Sequence, residues 1–87
     1  VSAERTPESY KSIYFNAAEI LYEQGKFMEA SKLLEWVIFF NPKKKLGYQY
    51  LIDSYYNLND KKEACTILKK AEKMDIRPQI NFELSCN

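Results

Sequence analysis

Glu19 and Glu23 stand four residues apart in a segment of helical periodicity, a spacing that sets two carboxylates on one helix face. Such a pair can serve acid-base chemistry or hold a hard cation. Either role recruits further groups, and the sequence lacks them. None of the 87 residues is histidine, which removes the commonest base at neutral pH and the commonest zinc ligand together. Cys65 and Cys86 are the only cysteines, too few for a structural zinc site. No glycine-rich phosphate loop or nucleophile motif accompanies the carboxylates. The chain is therefore expected not to be an enzyme and to use no cofactor or metal.

Lysines form the other charged cluster: Lys43, Lys44 and Lys45 together, then Lys61, Lys62, Lys69, Lys70 and Lys73. Thirteen Lys and Arg against twelve Asp and Glu leave a formal charge of only +1, so no global field draws the chain to nucleic acid. With Glu63 and Glu72 interspersed, the lysines read as a solvated outer face; binding of nucleic acid or an anionic surface through them is the lesser alternative. The longest apolar run, Trp36 to Phe40, falls far short of the roughly 18 residues of a membrane span, so no membrane insertion is expected.

The elements that must carry these groups are helices. Thr6, Pro7 and Glu8 combine an N-cap, a first-turn proline and a carboxylate favoured by the helix dipole. From Tyr10, apolar residues recur every three or four positions through Tyr22, until Gly25 supplies a left-handed stop. A second run, Phe27 to Phe40, closes at Asn41-Pro42. The cycle then repeats, with helices predicted over Leu46 to Leu58 and Lys61 to Met74, a turn at Asn59-Asp60, and a stop at Arg77-Pro78. In Gln79 to Asn87, Ile80, Phe82 and Leu84 alternate, but Ile80 and Leu84 are also four apart, and the segment is too short for period to decide.

Shifting the chain by 34 residues pairs Lys11 with Lys45, Tyr14 with Tyr48, Tyr22 with Tyr56, Glu29 with Glu63, Ala30 with Ala64 and Leu34 with Leu68. Leu33 with Ile67 and Ala17 with Leu51 are conservative on the same register. In the first unit Tyr14, Ala17-Ala18, Gly25, Phe27, Ala30 and Pro42 follow a pattern of large aromatic, small pair, glycine, aromatic, alanine and proline. With its period of two helices, the chain resembles the tetratricopeptide repeat (TPR) family. The likeness covers repeat one, Lys11 to Lys44, and repeat two, Lys45 to Pro78. The second departs from the pattern at Ile52, Asn59 and Lys61, and its proline comes two residues late; Asn59 keeps the turn because Asn tolerates the left-handed conformation.

The resemblance implies an all-α fold in one domain, a right-handed superhelical stack of antiparallel helix pairs with four helices. Two repeats are fewer than the three or so that bury a continuous core, so residues 79–87 are expected to pack as a short C-terminal capping helix. Self-association through the end of repeat two is the alternative cover. TPR folds are interaction scaffolds whose concave face is lined by the first helix of each pair. On that likeness Phe15, Asn16, Glu19, Tyr22 and Glu23 face Tyr50, Asp53 and Tyr56. Phe15 and Glu19 stand where a carboxylate clamp would need Lys and Asn, so the resemblance argues against a carboxylate ligand. Apolar and basic side chains of a protein or peptide partner suit the aromatic and acidic lining. The implied function is non-catalytic protein-protein interaction; the alternatives are a structural or self-associating piece of a longer helical array and the lysine-mediated anionic binder.

Cys65 falls in the fourth helix and Cys86 in the capping segment. They are either two reduced thiols or a bridge that staples the cap, and Ala64-Cys65 with a late Cys is similar to extracytoplasmic TPR domains of bacteria. A bridge implies an oxidising, periplasmic or secreted location; reduced thiols imply the cytoplasm.

Overall fold

The computed structural model describes residues 7–80, 82, 84 and 86, with side-chain surroundings from residue 12 onward. The Thr6 cap lies outside these residues. Four helices follow one another: α1 Pro7–Glu23, α2 Phe27–Phe40, α3 Lys45–Asn57 and α4 Lys61–Lys73. No strand occurs among the described residues. Each helix packs on the next, and α1 also touches α3. Connections of three or four residues leave successive helices antiparallel.

The turns within the two pairs are built alike. Gly25 takes φ +80°, and the amide of Lys26 bonds the carbonyl of Leu21 at 2.9 Å while that of Gly25 bonds Tyr22 at 3.0 Å. Asn59, 34 residues on, takes φ 62°, with Asp60 N–H to Tyr55 at 2.9 Å and Asn59 N–H to Tyr56 at 3.0 Å. Both are Schellman closures, in which a left-handed residue satisfies the last helical carbonyls. Asp75 at φ 61° closes α4 in the same way, with Ile76 N–H bonded to Ala71 at 2.9 Å. The Asp60 side chain then caps α4 by accepting the Glu63 amide at 3.3 Å.

Ala18, Ala30, Leu34, Val37 and Ile38 join Tyr48, Leu51, Ile52, Ala64, Ile67 and Ala71 in one buried cluster. The alanines Ala18, Ala30 and Ala64 lose all solvent contact, as residues that let helix axes approach must. Ile52, in the place of Ala18 on the 34-residue register, is equally buried, so the second pair accommodates a larger side chain. Gly47 marks the tightest approach of α2 to α3: a Cβ there would stand 3.0 Å from Ile38 Cγ2 and 3.2 Å from Val37 Cγ1.

The tail differs from the expected capping helix. None of its described residues after Ile76 is helical, yet Ile76, Ile80, Phe82 and Leu84 pack against the core cluster. Ile80, Phe82 and Leu84 all turn side chains toward the core cluster without a helix between them, with a bend at Phe82. A nine-residue segment is too short to be a stable helix unaided, and Pro78 lacks the amide a continuing helix needs. Non-helical chain packs against the core there instead.

Candidate functional site

The face shared by α1 and α3 gathers most of the residues expected to line a binding surface. Phe15, Glu19 and Tyr22 recur at four and three residues on α1, and Tyr50 and Asp53 are three apart on α3, so each set projects from one helix side. Tyr50 is the hub. Its ring centroid lies 5.7 Å from Phe15 and 4.9 Å from Tyr22, and its hydroxyl donates to Glu19 Oε2 at 3.4 Å. Tyr22 also meets Phe27 edge-on at 5.5 Å.

The Tyr22 hydroxyl donates to Asp53 Oδ2. On the other side Asn57 Nδ2 donates to Asp53 Oδ1 at 3.0 Å and to the Asp53 carbonyl at 2.8 Å. Burial raises the Asp53 carboxyl above its ordinary value, against the pull of the Asn57 hydrogen bond. Burial likewise raises the Tyr50 phenol, helped by the charge and hydrogen bond of Glu19 and the charge of Glu23. Among the described residues no cation lies within ion-pair distance of Glu19, Glu23 or Asp53. The face thus combines π-surfaces with negative charge that no described cation pairs with.

Two expected members stand apart. Asn16 is exposed. Tyr56 belongs to a neighbouring contact in which the tail's Phe82 stacks on it, with centroids 3.9 Å apart and an interplanar angle of 17°. The tail therefore reaches the lining of α3. Its Gln79 amide donates to Gln49 Oε1 at 3.2 Å. Together Gln79, Ile80 and Phe82 close a cavity of about 130 Å³ against Tyr22, Gln49, Tyr50 and Asp53. The tail is expected from the sequence at the stack end only; its apolar Ile80 and Phe82 are the signal that it could also line the α1–α3 face.

Cys65 and Cys86 form a disulfide, with Cα atoms 5.4 Å apart and a sequence separation of 21. It ties the tail to α4. Lys43, Lys45, Lys61, Lys62, Lys69, Lys70 and Lys73 are exposed, as their pattern suggested, and Lys44 is half-buried. Lys44 places Nζ 4.4 Å from the Phe15 ring centroid, and Lys61 places its own 5.8 Å from that of Tyr56. Lys69, Lys70 and Lys73 line an open depression with Thr66 on α4. No group of three or more metal-ligating side chains occurs among the described residues, and no helix there is long and apolar enough to cross a membrane.

Comparison of the chain with models of protein families, with curated proteins and with solved structures finds no match.

Proposed function

We propose that this chain is a TPR-type, non-catalytic protein-protein interaction module that receives a partner segment on the α1–α3 face. The observation that carries the reading is that face itself: Phe15, Tyr22 and Tyr50 in ring contact beside Glu19, Glu23 and Asp53, with no described cation in ion-pair reach. Aromatic rings supply area at small entropic cost, and unmatched carboxylates favour a basic partner. The 34-residue register and the paired Schellman turns support the family assignment. The disulfide supports an oxidising compartment. Replacing Tyr50 by Ala and Asp53 by Lys together should abolish capture of the native partner on co-purification while helicity persists; undiminished capture refutes the reading.

A second reading, self-association or membership of a longer helical array, is favoured by one observation. Ile13, Ile20, Met28, Trp36, Phe39 and Phe40 are all exposed on the first helix pair. The end of the second pair, by contrast, carries the tail, so association through the first pair replaces the expected association through the end of repeat two. Sedimentation would reveal a concentration-dependent dimer that Trp36→Glu with Phe39→Glu dissolves; a monomer at all concentrations removes self-association.

A further inference from the structure

The cavity beside Asp53 has a chemistry more specific than that of the face around it. Its aromatic walls come from three parts of the chain: Tyr22 of α1, Tyr50 of α3 and Phe82 of the tail. Tyr22 and Tyr50 are tilted 53° to one another, so they form two walls of a concave site and not a flat platform. Phe82 is fixed by its stack on Tyr56, and the bridge at Cys86 anchors the chain four residues further on. Gln49 is occupied by the Gln79 amide, which ties the tail down at the near side.

The charge decides what such a site can hold. Asp53 is half-buried and receives neutral donors only, the Tyr22 hydroxyl and the Asn57 amide. An anion would meet its carboxylate without compensation, and a neutral apolar group would desolvate it further. A cation would satisfy it and would also meet the negative faces of the rings. The chain already uses that contact on both flanks, where Lys44 lies over Phe15 and Lys61 near Tyr56. Between them, the walls of Tyr22, Tyr50 and Phe82 have no described cation of their own.

We propose that this cavity is a cage for an organic ammonium group, completed by the tail and held closed by the Cys65–Cys86 bridge. Its volume of about 130 Å³ suits one such head group and not an extended ligand. The ammonium is either the side chain of a lysine on a partner segment or a free quaternary amine; the first source rests on the partner-binding reading above, and the second does not. Phe82 and Gln79 make the tail part of the binding site, so opening the bridge weakens the cage.

The test titrates the full oxidised chain at constant ionic strength, following backbone amide shifts of residues 22, 50 and 53. One arm uses choline, a second Nα-acetyl-lysine methylamide, and a third 3,3-dimethylbutan-1-ol, the neutral isostere of choline. Saturable shifts are expected with choline or the lysine probe, with binding about tenfold or more tighter than that of the isostere. Tighter choline binding assigns a free amine, and tighter binding of the lysine probe assigns a partner side chain. Asp53→Asn and Phe82→Ala should each weaken binding about tenfold, and reduction of the bridge should weaken it as well. Equal binding of the isostere, or no saturable shift with either cation, overturns the cage; because both comparisons use the unmodified chain, a variant that fails to fold cannot hide the answer. The probes need no partner, so failure here leaves the partner-binding reading to stand on co-purification. No saturable shift with either cation, with capture intact, removes the cage alone.

Discussion

Among the described residues the same helix face is covered in one half and largely exposed in the other. On the 34-residue register Ile13, Ala17 and Ile20 of α1 correspond to Gly47, Leu51 and Ser54 of α3. The α3 set is buried, with α2 pressed against it so closely that a Cβ on Gly47 would crowd the side chains of Ile38 and Val37. In the α1 set Ile13 is 60% exposed and Ile20 55%, and on α2 Trp36 and Phe39 are 50% and 70% exposed. The difference is one of position in the stack. Helix α3 has a preceding pair to cover it, α1 has none among the described residues, and the far end has the tail. Apolar periodicity reports which face a helix offers, and stacking determines whether that face is used.

The widest separation between the two faces should come from truncating their equivalent positions. Leu51→Ala removes a fully buried side chain and should cost about 2–5 kcal/mol, whereas Ile20→Ala on the bare face should stay within about 0.5 kcal/mol. Urea denaturation of both variants measures the contrast. A large loss at Ile20 would mean that its face is covered in solution, by a second copy or by chain outside the described residues.

The capped end should depend next on its staple. Replacing Cys65 and Cys86 by Ser opens a loop with a sequence separation of 21, which chain-entropy reasoning values at about 3 kcal/mol. The loss should appear as a lower urea midpoint and as faster amide exchange at residues 79–84, with little change in α1 and α2. Uniformly faster exchange would show that the tail stabilises the whole stack rather than its own end.

A smaller effect of opposite sign belongs to Ser54. Its Oγ is buried without a hydrogen-bond partner, at the position where α1 carries Ile20. Ser54→Ala should raise stability by roughly 1 kcal/mol, since an unsatisfied hydroxyl disappears and helix propensity improves. A loss would mean that the hydroxyl is satisfied by a bound water.

Helices, turns and the small residues at the helix contacts were legible in the sequence because each rests on local chemistry. Gly25 and Asn59 had to be left-handed stops, and Ala18, Ala30 and Ala64 had to be buried for neighbouring helices to approach. The grouping of Phe15, Glu19, Tyr22, Tyr50 and Asp53 was expected from the family likeness, which sets α1 beside α3; spacing alone places each set on one side of its own helix. The tail was not legible. Its covering role followed from the shortage of repeats, but its non-helical path depends on tertiary contacts, the Phe82 stack on Tyr56 and the Gln79 bond to Gln49, that no local pattern encodes. The placing of the Lys44 ammonium over the Phe15 ring was hidden for a related reason: it joins residues 29 apart in sequence, which charge pattern alone does not encode.

The subtlest contrast is between folding and binding at Asp53. Its carboxyl is raised in the folded chain, with burial as the main cause, so ionisation opposes folding at this position. The sign follows from linkage: a folded-state value above the unfolded one means that the unfolded chain releases this proton more readily, and stability falls as pH rises through the pair of values. Asp53→Asn should then leave stability unchanged or slightly increased at pH 7, and the advantage should vanish once acid protonates the native carboxyl in both states. Urea midpoints of the two proteins at pH 7 and in mild acid measure this difference. Lower stability of the Asn variant at pH 7 would show that the Tyr22 and Asn57 hydrogen bonds to the carboxylate outweigh its burial. A residue that folding would sooner have neutral is retained to advantage only where its charge is used, and acidification that stabilises this position should weaken ammonium binding over the same range.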